Sequence, residues 1–184
     1  MANHTLPLDD EGFYHIYNRA VGNEKLFTND RYYRQFMTRL ETHLFPLVDI
    51  WSYCLMPNHF HLLVEIKPGS TGAAISKGIS DCCNSYTKWL NILHGRKGAL
   101  FMRPFKRDKI KDGGHLARII AYIHRNPIHH NYVSNLNAWE FCSYKKILAG
   151  EPGTAFEKVI EFLGGKDAYV EFHNRSGFPG QEQS

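Results

Sequence analysis

The chain has 184 residues and a formal net charge of +4, with 43% hydrophobic and 14% aromatic residues. This length and composition predict one folded domain with a substantial core, and they exclude an extensively disordered chain. No stretch reaches the ~18 apolar residues that a membrane-spanning helix needs, and the N-terminal stretch lacks the features of a secretion signal. We therefore expect a cytoplasmic protein without membrane contact, whose four cysteines are reduced and buried.

Strand and helix signals alternate along the chain. Runs rich in aromatic and β-branched residues predict strands, apolar residues at helical spacing predict helices, and Pro- or Gly-containing turns separate them. The predicted elements are, in order, a strand at 13–21, a helix at 29–44, strands at 48–56 and 59–66, a helix at 71–93, a strand at 99–110, a helix beginning at 115, and helices at 155–163 and 166–172.

This order predicts an α+β fold, a ferredoxin-like or RRM-like antiparallel sheet of four to five strands with helices packed on it. Pro104 places the 99–110 strand at a sheet edge or a bulge, because proline donates no backbone hydrogen bond. The residue before a proline disfavours the helical conformation, so the helix that begins at 115 is expected to stop at Asn126–Pro127.

The strand HFHLLVEI carries two histidines at its start. Because side chains alternate across a strand, His59 and His61 lie on one face, about 7 Å apart along it. The other face is wholly apolar and must face the core; it consists of Phe60, Leu62, Val64 and Ile66. Two neutral imidazoles on one face, with a third ligand from elsewhere, make a divalent-metal site with open positions. The alternative is a pair of exposed or hydrogen-bonded histidines.

The helix HLARIIAYIHRNP supplies candidates for the missing parts. Arg118, Tyr122 and Asn126 recur at four-residue spacing and share one helix face. An asparagine oxygen is a plausible ligand for a hard divalent ion, a phenol can act as a nucleophile, and Arg118 could hold a phosphate. The alternative is a partly buried core tyrosine with a hydrogen-bonded hydroxyl.

A basic tract follows the second long helix. It predicts a phosphate-contacting surface in which Phe101 and Phe105 offer stacking faces for bases, although a solvated charged face is equally consistent with it. Its candidate DNA-binding residues are Arg96, Lys97, Arg103, Lys106, Arg107 and Lys109.

Other histidines and tyrosines lie near the end of the tyrosine helix and beyond it. None continues the face of Arg118, Tyr122 and Asn126, so exposed polar residues around a turn are the preferred interpretation. These alternatives are His124, His129, His130, Tyr132 and Tyr144.

Several of these stretches together resemble a known family. MPNHFHLLVEI is similar to the HUH motif (His, hydrophobic, His) of single-tyrosine transposases that act on single-stranded DNA. YHIYNRAV, LFMRPFKRDKI, RIIAYIHRNP and WEFCSYKKILAG resemble, in order, stretches of the REP-associated tyrosine transposases. The resemblance runs from about residue 12 to 150, so we assign 1–150 to an HUH transposase-like catalytic domain and 151–184 to a C-terminal helical extension with a flexible tail.

The resemblance implies Mg²⁺ or Mn²⁺ as cofactor and single-stranded DNA with hairpins as substrate. It implies that His59 and His61 match the HUH ligands, Tyr122 the nucleophile and Asn126 the third ligand. Cleavage would leave the 5′ phosphate on the tyrosine, and the protein would be a monomer or a homodimer. Two other functions stay open: a non-catalytic DNA-hairpin-binding protein on the same scaffold, and a hydrolase in which the metal activates water.

Overall fold

The computed structural model of the chain describes residues 7–152 and 155–175. Its helices and strands follow the predicted order closely, and a short 3₁₀ turn (Leu136–Ala138) precedes the fourth helix. The elements are β1 (Phe13–Arg19), α1 (Asp30–His43), β2 (Val48–Met56), β3 (His59–Ile66), α2 (Gly72–His94), β4 (Lys106–Lys109), α3 (Gly113–His129), α4 (Tyr144–Ala149), α5 (Phe156–Phe162) and α6 (Lys166–Asn174).

The strands form a four-stranded sheet in the order β2-β3-β1-β4, and every neighbouring pair is antiparallel. With helices packed on it, this sheet confirms the predicted α+β fold. β1 and β3 are the central strands, and their register places Tyr17 directly opposite His61. The predicted histidine strand is therefore central, with its two faces covered by different helices.

One face of the sheet packs against α1 and α2 and forms the main core. Phe60 of β3 is fully buried there and contacts Phe36 of α1, which in turn contacts Tyr86 of α2. The Tyr86 hydroxyl donates a hydrogen bond to the Leu26 carbonyl, so its polar end is satisfied inside the core. This face is the apolar one that the alternation in β3 predicts.

The other face of the sheet is covered by α3 and α5. Trp51 of β2 contacts Phe162 of α5 and donates a hydrogen bond to Glu65 of β3. Lys158 of α5 pairs with both Asp49 and Glu65. These contacts hold α5 against one end of β2 and β3, while α3 crosses the end of β3 that carries the histidines.

The predicted strand at 99–110 is wrong in extent, because β4 covers only Lys106–Lys109. Upstream, Phe101 forms an isolated bridge with Ala20, the residue that follows β1. Pro104 lies between the two paired parts and has no N–H to donate to a ladder, which accounts for the interruption. The placement at a sheet edge is confirmed, since β4 is the outermost strand and β1 is its one neighbour in the described part of the chain.

The predicted stop at Asn126–Pro127 is also wrong, because α3 continues through Pro127 to His129. Proline removes one backbone hydrogen bond, and the helix tolerates this loss in its last turn. The turn is closed by the His130 N–H, which donates to the Asn126 carbonyl, and by the Tyr132 N–H, which donates to the Pro127 carbonyl. The extra turn sets Asn126 inside the helix rather than at its end.

The described part of the C-terminal stretch packs on the rest of the molecule. His173 of α6 is fully buried and hydrogen-bonds His124 of α3. The assignment of 151–184 as a separate extension stays a prediction, and the predicted tail lies outside the described residues except for Arg175. Within the described residues, no helix combines the length and the apolar character that crossing a bilayer requires.

Candidate active site

The two histidines of β3 project towards α3, on the face opposite to Phe60. His61 is buried at 7% exposure, and His59 is partly buried beside it. Their rings lie 5.2 Å apart and nearly perpendicular to each other. The predicted pair is therefore a real cluster beneath a helix rather than two exposed side chains.

α3 brings Tyr122 and Asn126 over this pair. The Tyr122 ring lies 5.6 Å from the His61 ring in an edge contact. The side-chain oxygen of Asn126 lies 2.8 Å from His59 Nε2, and the Asn126 side chain also hydrogen-bonds Tyr122. The phenol, the amide and the two imidazoles thus converge within a single chain. The four-residue spacing predicts that Tyr122 and Asn126 are neighbours on the helix, but not where the helix docks.

His59 lies between two amide oxygens. Its Nδ1 is 2.7 Å from the Asn58 side-chain oxygen, and its Nε2 is 2.8 Å from the Asn126 side-chain oxygen. The neutral ring carries a single N–H, so it donates to one of these oxygens and its other nitrogen offers a lone pair. When Nδ1–H donates to Asn58, Nε2 and the Asn126 oxygen are two electron-pair donors at the separation of neighbouring ligands of one ion, about 3 Å for bonds of about 2.1 Å.

These residues fit a divalent metal. Burial lowers the pKa of His59 to about 4 and that of His61 well below its usual value, so both rings are neutral at physiological pH and able to ligate. The described residues contain no group of three His, Cys, Asp or Glu side chains placed to hold a metal. The Asn126 side-chain oxygen lies beside the pair and is a candidate third protein ligand.

Burial raises the pKa of Tyr122, while its hydrogen bond to Asn126 opposes that shift. The phenol therefore carries its proton at neutral pH. It needs electrostatic assistance at the moment when it loses that proton.

β1 contributes two side chains that the sequence analysis did not single out. His15 is buried, and its Nε2 lies 2.9 Å from His61 Nδ1. Tyr17 stacks on both rings. Alternation places His15 and Tyr17 on one face of β1, but only the pairing of β1 with β3 reveals that this face belongs to the histidine pair.

Arg118 lies on α3 one turn before Tyr122 and is exposed. Its guanidinium lies beside Gly114 and contributes to the lowered pKa of His115, so it points towards the beginning of the helix. The structure therefore does not bring Arg118 against the histidine pair, and its role with a phosphate stays a prediction.

Three of the six basic candidates contact side chains elsewhere in the fold. Arg96 pairs with Glu24, Lys109 pairs with Asp9, and Arg103 donates to the Asn84 side chain. These three contacts hold the basic tract to the rest of the fold.

Of the other three candidates, Lys106 is the one that we place beside the histidines. Lys106 is opposite Tyr17 in the β1–β4 register and lies over its ring at 5.9 Å, so it borders the site. Arg107 stacks on Phe105, and Lys97 is exposed near the end of α2.

The alternative histidines divide between the rim and the interior. His130 is exposed with its ring 4.9 Å from that of His59, and His129 is exposed with its ring 6.2 Å from that of Tyr122. They are exposed as predicted, but they border the site. His124 is buried and hydrogen-bonds His173 and Ser143, which makes the prediction of its exposure wrong.

The alternative tyrosines are not candidates to replace Tyr122. Tyr144 is buried against His124, and Tyr132 is exposed and contacts Trp139. Among the described residues, Tyr122 and Tyr17 are the two tyrosines whose rings contact His61.

The fold and the site define an α+β protein whose central strand carries a His-hydrophobic-His pair beneath a tyrosine-bearing helix. No protein-family model matches the chain. Over 109 residues it is 26% identical to a Haemophilus influenzae protein assigned as a REP-associated tyrosine transposase, covering 54% of this chain and 61% of that relative's length. The chain thus spans somewhat less than two thirds of this relative.

A solved structure described as a REP-associated tyrosine transposase bound to a REP hairpin matches with a TM-score of 0.65. The match covers 81% of this chain and 86% of that one, at 14% sequence identity. The resemblance to REP-associated tyrosine transposases that the sequence motifs predict is confirmed by these two matches.

Proposed function

We propose that the chain is a metal-dependent single-stranded DNA endonuclease and strand transferase that acts at hairpin-bearing DNA through a 5′-phosphotyrosine intermediate. The observation that carries this proposal is the convergence of Tyr122, Asn126 and the two β3 histidines in one chain. The fold likeness and the transposase relative support it.

In the proposed reaction the Tyr122 hydroxyl oxygen attacks a phosphorus atom of the DNA backbone. A bond forms between this oxygen and phosphorus, and the bond from phosphorus to the 3′ oxygen breaks. The phenolic proton leaves to solvent, and the departing 3′ oxygen takes up a proton as a free hydroxyl. Because one phosphodiester replaces another, the reverse step can rejoin two ends.

The residues of the site have separate roles in the proposed reaction. Mg²⁺ or Mn²⁺ held by His59, His61 and Asn126 would polarise the phosphate as a Lewis acid. Asn126 lies one helical turn from Tyr122, and its hydrogen bond to the phenol favours the ionised form by lowering the Tyr122 pKa against the effect of burial. Neutral imidazoles are required for this arrangement, and burial keeps them neutral.

Hairpin-bearing single-stranded DNA is the proposed substrate because the matching solved structure is described with a REP hairpin. Lys106 borders the site, and the exposed Lys97 could contact phosphates farther away. Arg96, Arg103 and Lys109 would have to exchange their present partners for phosphate oxygens, or else act by holding the loop.

The direct test is incubation of the protein with a hairpin-bearing single strand and Mg²⁺, followed by a denaturing gel. We expect a covalent protein–DNA band that EDTA abolishes and that Tyr122→Phe reduces at least 100-fold, because the nucleophilic oxygen is missing. Tyr17→Phe is the matched control, since it removes the other phenol that contacts His61 and should leave the band in place.

The outcomes separate the alternatives. An equally strong band from Tyr122→Phe would overturn the proposal. Cleavage without an attached protein, surviving in Tyr122→Phe, would indicate a metal-activated water. Hairpin binding without cleavage under any metal, unaffected by EDTA, would indicate a non-catalytic DNA-binding protein.

A further inference from the structure

The second buried histidine beside the site, His15, has no role in the reaction proposed above. It lies at 3% exposure on β1, diagonally across from His61 on the same sheet face. Its Nε2 lies 2.9 Å from His61 Nδ1, and the two rings stack 5.1 Å apart, 23° from parallel. A buried imidazole costs free energy unless its polar atoms find partners, so this pairing needs an explanation.

The pairing links the position of the proton on His61 to which of the two rings donates. A neutral imidazole has one N–H and one lone pair. If His61 Nδ1 donates to His15 Nε2, the lone pair of His61 is on Nε2, the nitrogen left free to ligate. If the roles were reversed, the lone pair of His61 Nδ1 would be spent on His15 and Nε2 would carry a proton.

We propose that His15 is a positioning residue that accepts a hydrogen bond from His61 Nδ1 and thereby holds His61 in the metal-binding tautomer. This inference rests on the proposed metal-dependent function and deepens it. Histidine ligands commonly donate their second N–H to a carboxylate, a carbonyl or a water, and loss of such a partner weakens metal affinity by about 10–100-fold. Here an imidazole takes the place of that acceptor.

The neighbouring aromatic rings support this role of His15. Tyr17 stacks on His15 at 4.8 Å and on His61 at 5.7 Å, so it fixes the planes of both imidazoles. Tyr122 makes nearly perpendicular ring contacts with both imidazoles, at 6.0 Å from His15 and 5.6 Å from His61. With its plane fixed and Nδ1 paired with His15, the nitrogen that His61 has left for a ligand is Nε2. Nε2 carries a lone pair only when the proton of His61 is on Nδ1, the tautomer that an accepting His15 favours.

The test compares His15→Leu, which has no acceptor, with His15→Gln, whose side-chain oxygen reaches nearly the same place as the imidazole Nε2. Mn²⁺ binding to the DNA-free protein is measured by titration calorimetry. We expect His15→Leu to weaken binding about 10–100-fold and His15→Gln to restore it to within a few-fold of wild type. Ile16→Val is the matched control, because it perturbs the same strand from the other face of the sheet.

A second readout does not depend on metal. The ¹⁵N shifts of His61 in metal-free protein report its tautomer, and we expect Nδ1–H in wild type and His15→Gln but a mixture in His15→Leu. Equal Mn²⁺ affinity in wild type and His15→Leu, or an Nε2–H tautomer for His61 in wild type, would overturn the inference. If wild type binds no Mn²⁺, the proposed metal function fails, and the tautomer measurement still decides the role of His15.

Discussion

At the scale of single residues, β3 shows how one short strand serves two purposes. Its odd-numbered histidines face α3 and the site, while Phe60 between them is fully buried against α1. Alternation along a strand makes this separation readable from the sequence. The effect of a substitution in β3 should therefore depend on which face it alters.

Phe60→Ala should lower the free energy of unfolding by about 3–5 kcal/mol, because it removes a fully buried ring that contacts Phe36 and Phe101. Urea unfolding in metal-free buffer measures this. Ile92→Ala, which truncates an exposed apolar side chain on α2, is the control and should change the value by less than about 0.5 kcal/mol. A loss below about 1 kcal/mol for Phe60→Ala would contradict the assignment of this face to the core.

Some residues of the site can be predicted from the sequence and others cannot. Tyr122 and Asn126 are neighbours on one helix, so their proximity follows from helical spacing. His15 and His61 are 46 residues apart and meet only through strand pairing. No local pattern encodes the register that brings them together, so His15 could not be recognised from the sequence.

At the scale of elements, the order and type of the six elements from β1 to β4 follow from local patterns, and the errors have local causes. Pro104 shortens β4, and Pro127 fails to end α3 because the last turn tolerates one missing hydrogen bond. The docking of α6 on α3, in contrast, does not follow from a local sequence pattern. It depends on a buried polar network that side-chain spacing does not reveal.

That network centres on His124 and His173, whose rings hydrogen-bond each other while His124 also bonds Ser143. The His173 Nδ1 bonds the Tyr169 carbonyl oxygen, and Arg125 donates to the His173 carbonyl. Burial lowers the pKa of His173 to about 4 and lowers that of His124 well below its usual value. Both rings are therefore uncharged in the folded chain at neutral pH.

The free energy of unfolding should fall as the pH drops from about 6.5 towards 4. In this window the unfolded chain binds protons that the folded chain does not, so stability is complete above the unfolded pKa and is lost below it. For His173 alone the shift corresponds to roughly 3 kcal/mol at the low end. His173→Gln keeps a hydrogen-bonding group towards His124 but cannot titrate, so its stability should fall less steeply.

Urea unfolding at several pH values between 7.5 and 4.5 provides the measurement. The quantity compared is the slope of the free energy of unfolding against pH. A loss of stability in the variant that is the same at every pH therefore does not affect the comparison. Identical slopes for wild type and His173→Gln would show that the network does not hold His173 neutral.

At the scale of the whole molecule, the site depends on where α3 docks. Local patterns identify the helix and the strand but do not say whether they meet in one chain or between two, because docking is decided by long-range packing. Here α3 lies across β2 and β3, and its position is supported from behind by the contact of His124 with α6. The tyrosine and the histidines of each site therefore belong to the same chain.

The most direct measurement of this claim is covalent adduct formation by co-expressed and co-purified His61→Ala and Tyr122→Phe chains, compared with wild type on the same hairpin-bearing strand with Mg²⁺. We expect an adduct from wild type and none from the mixture, because each variant chain lacks one half of its own site. A mixture that forms about a quarter of the wild-type adduct, the share of intact composite sites in randomly mixed dimers, would contradict it.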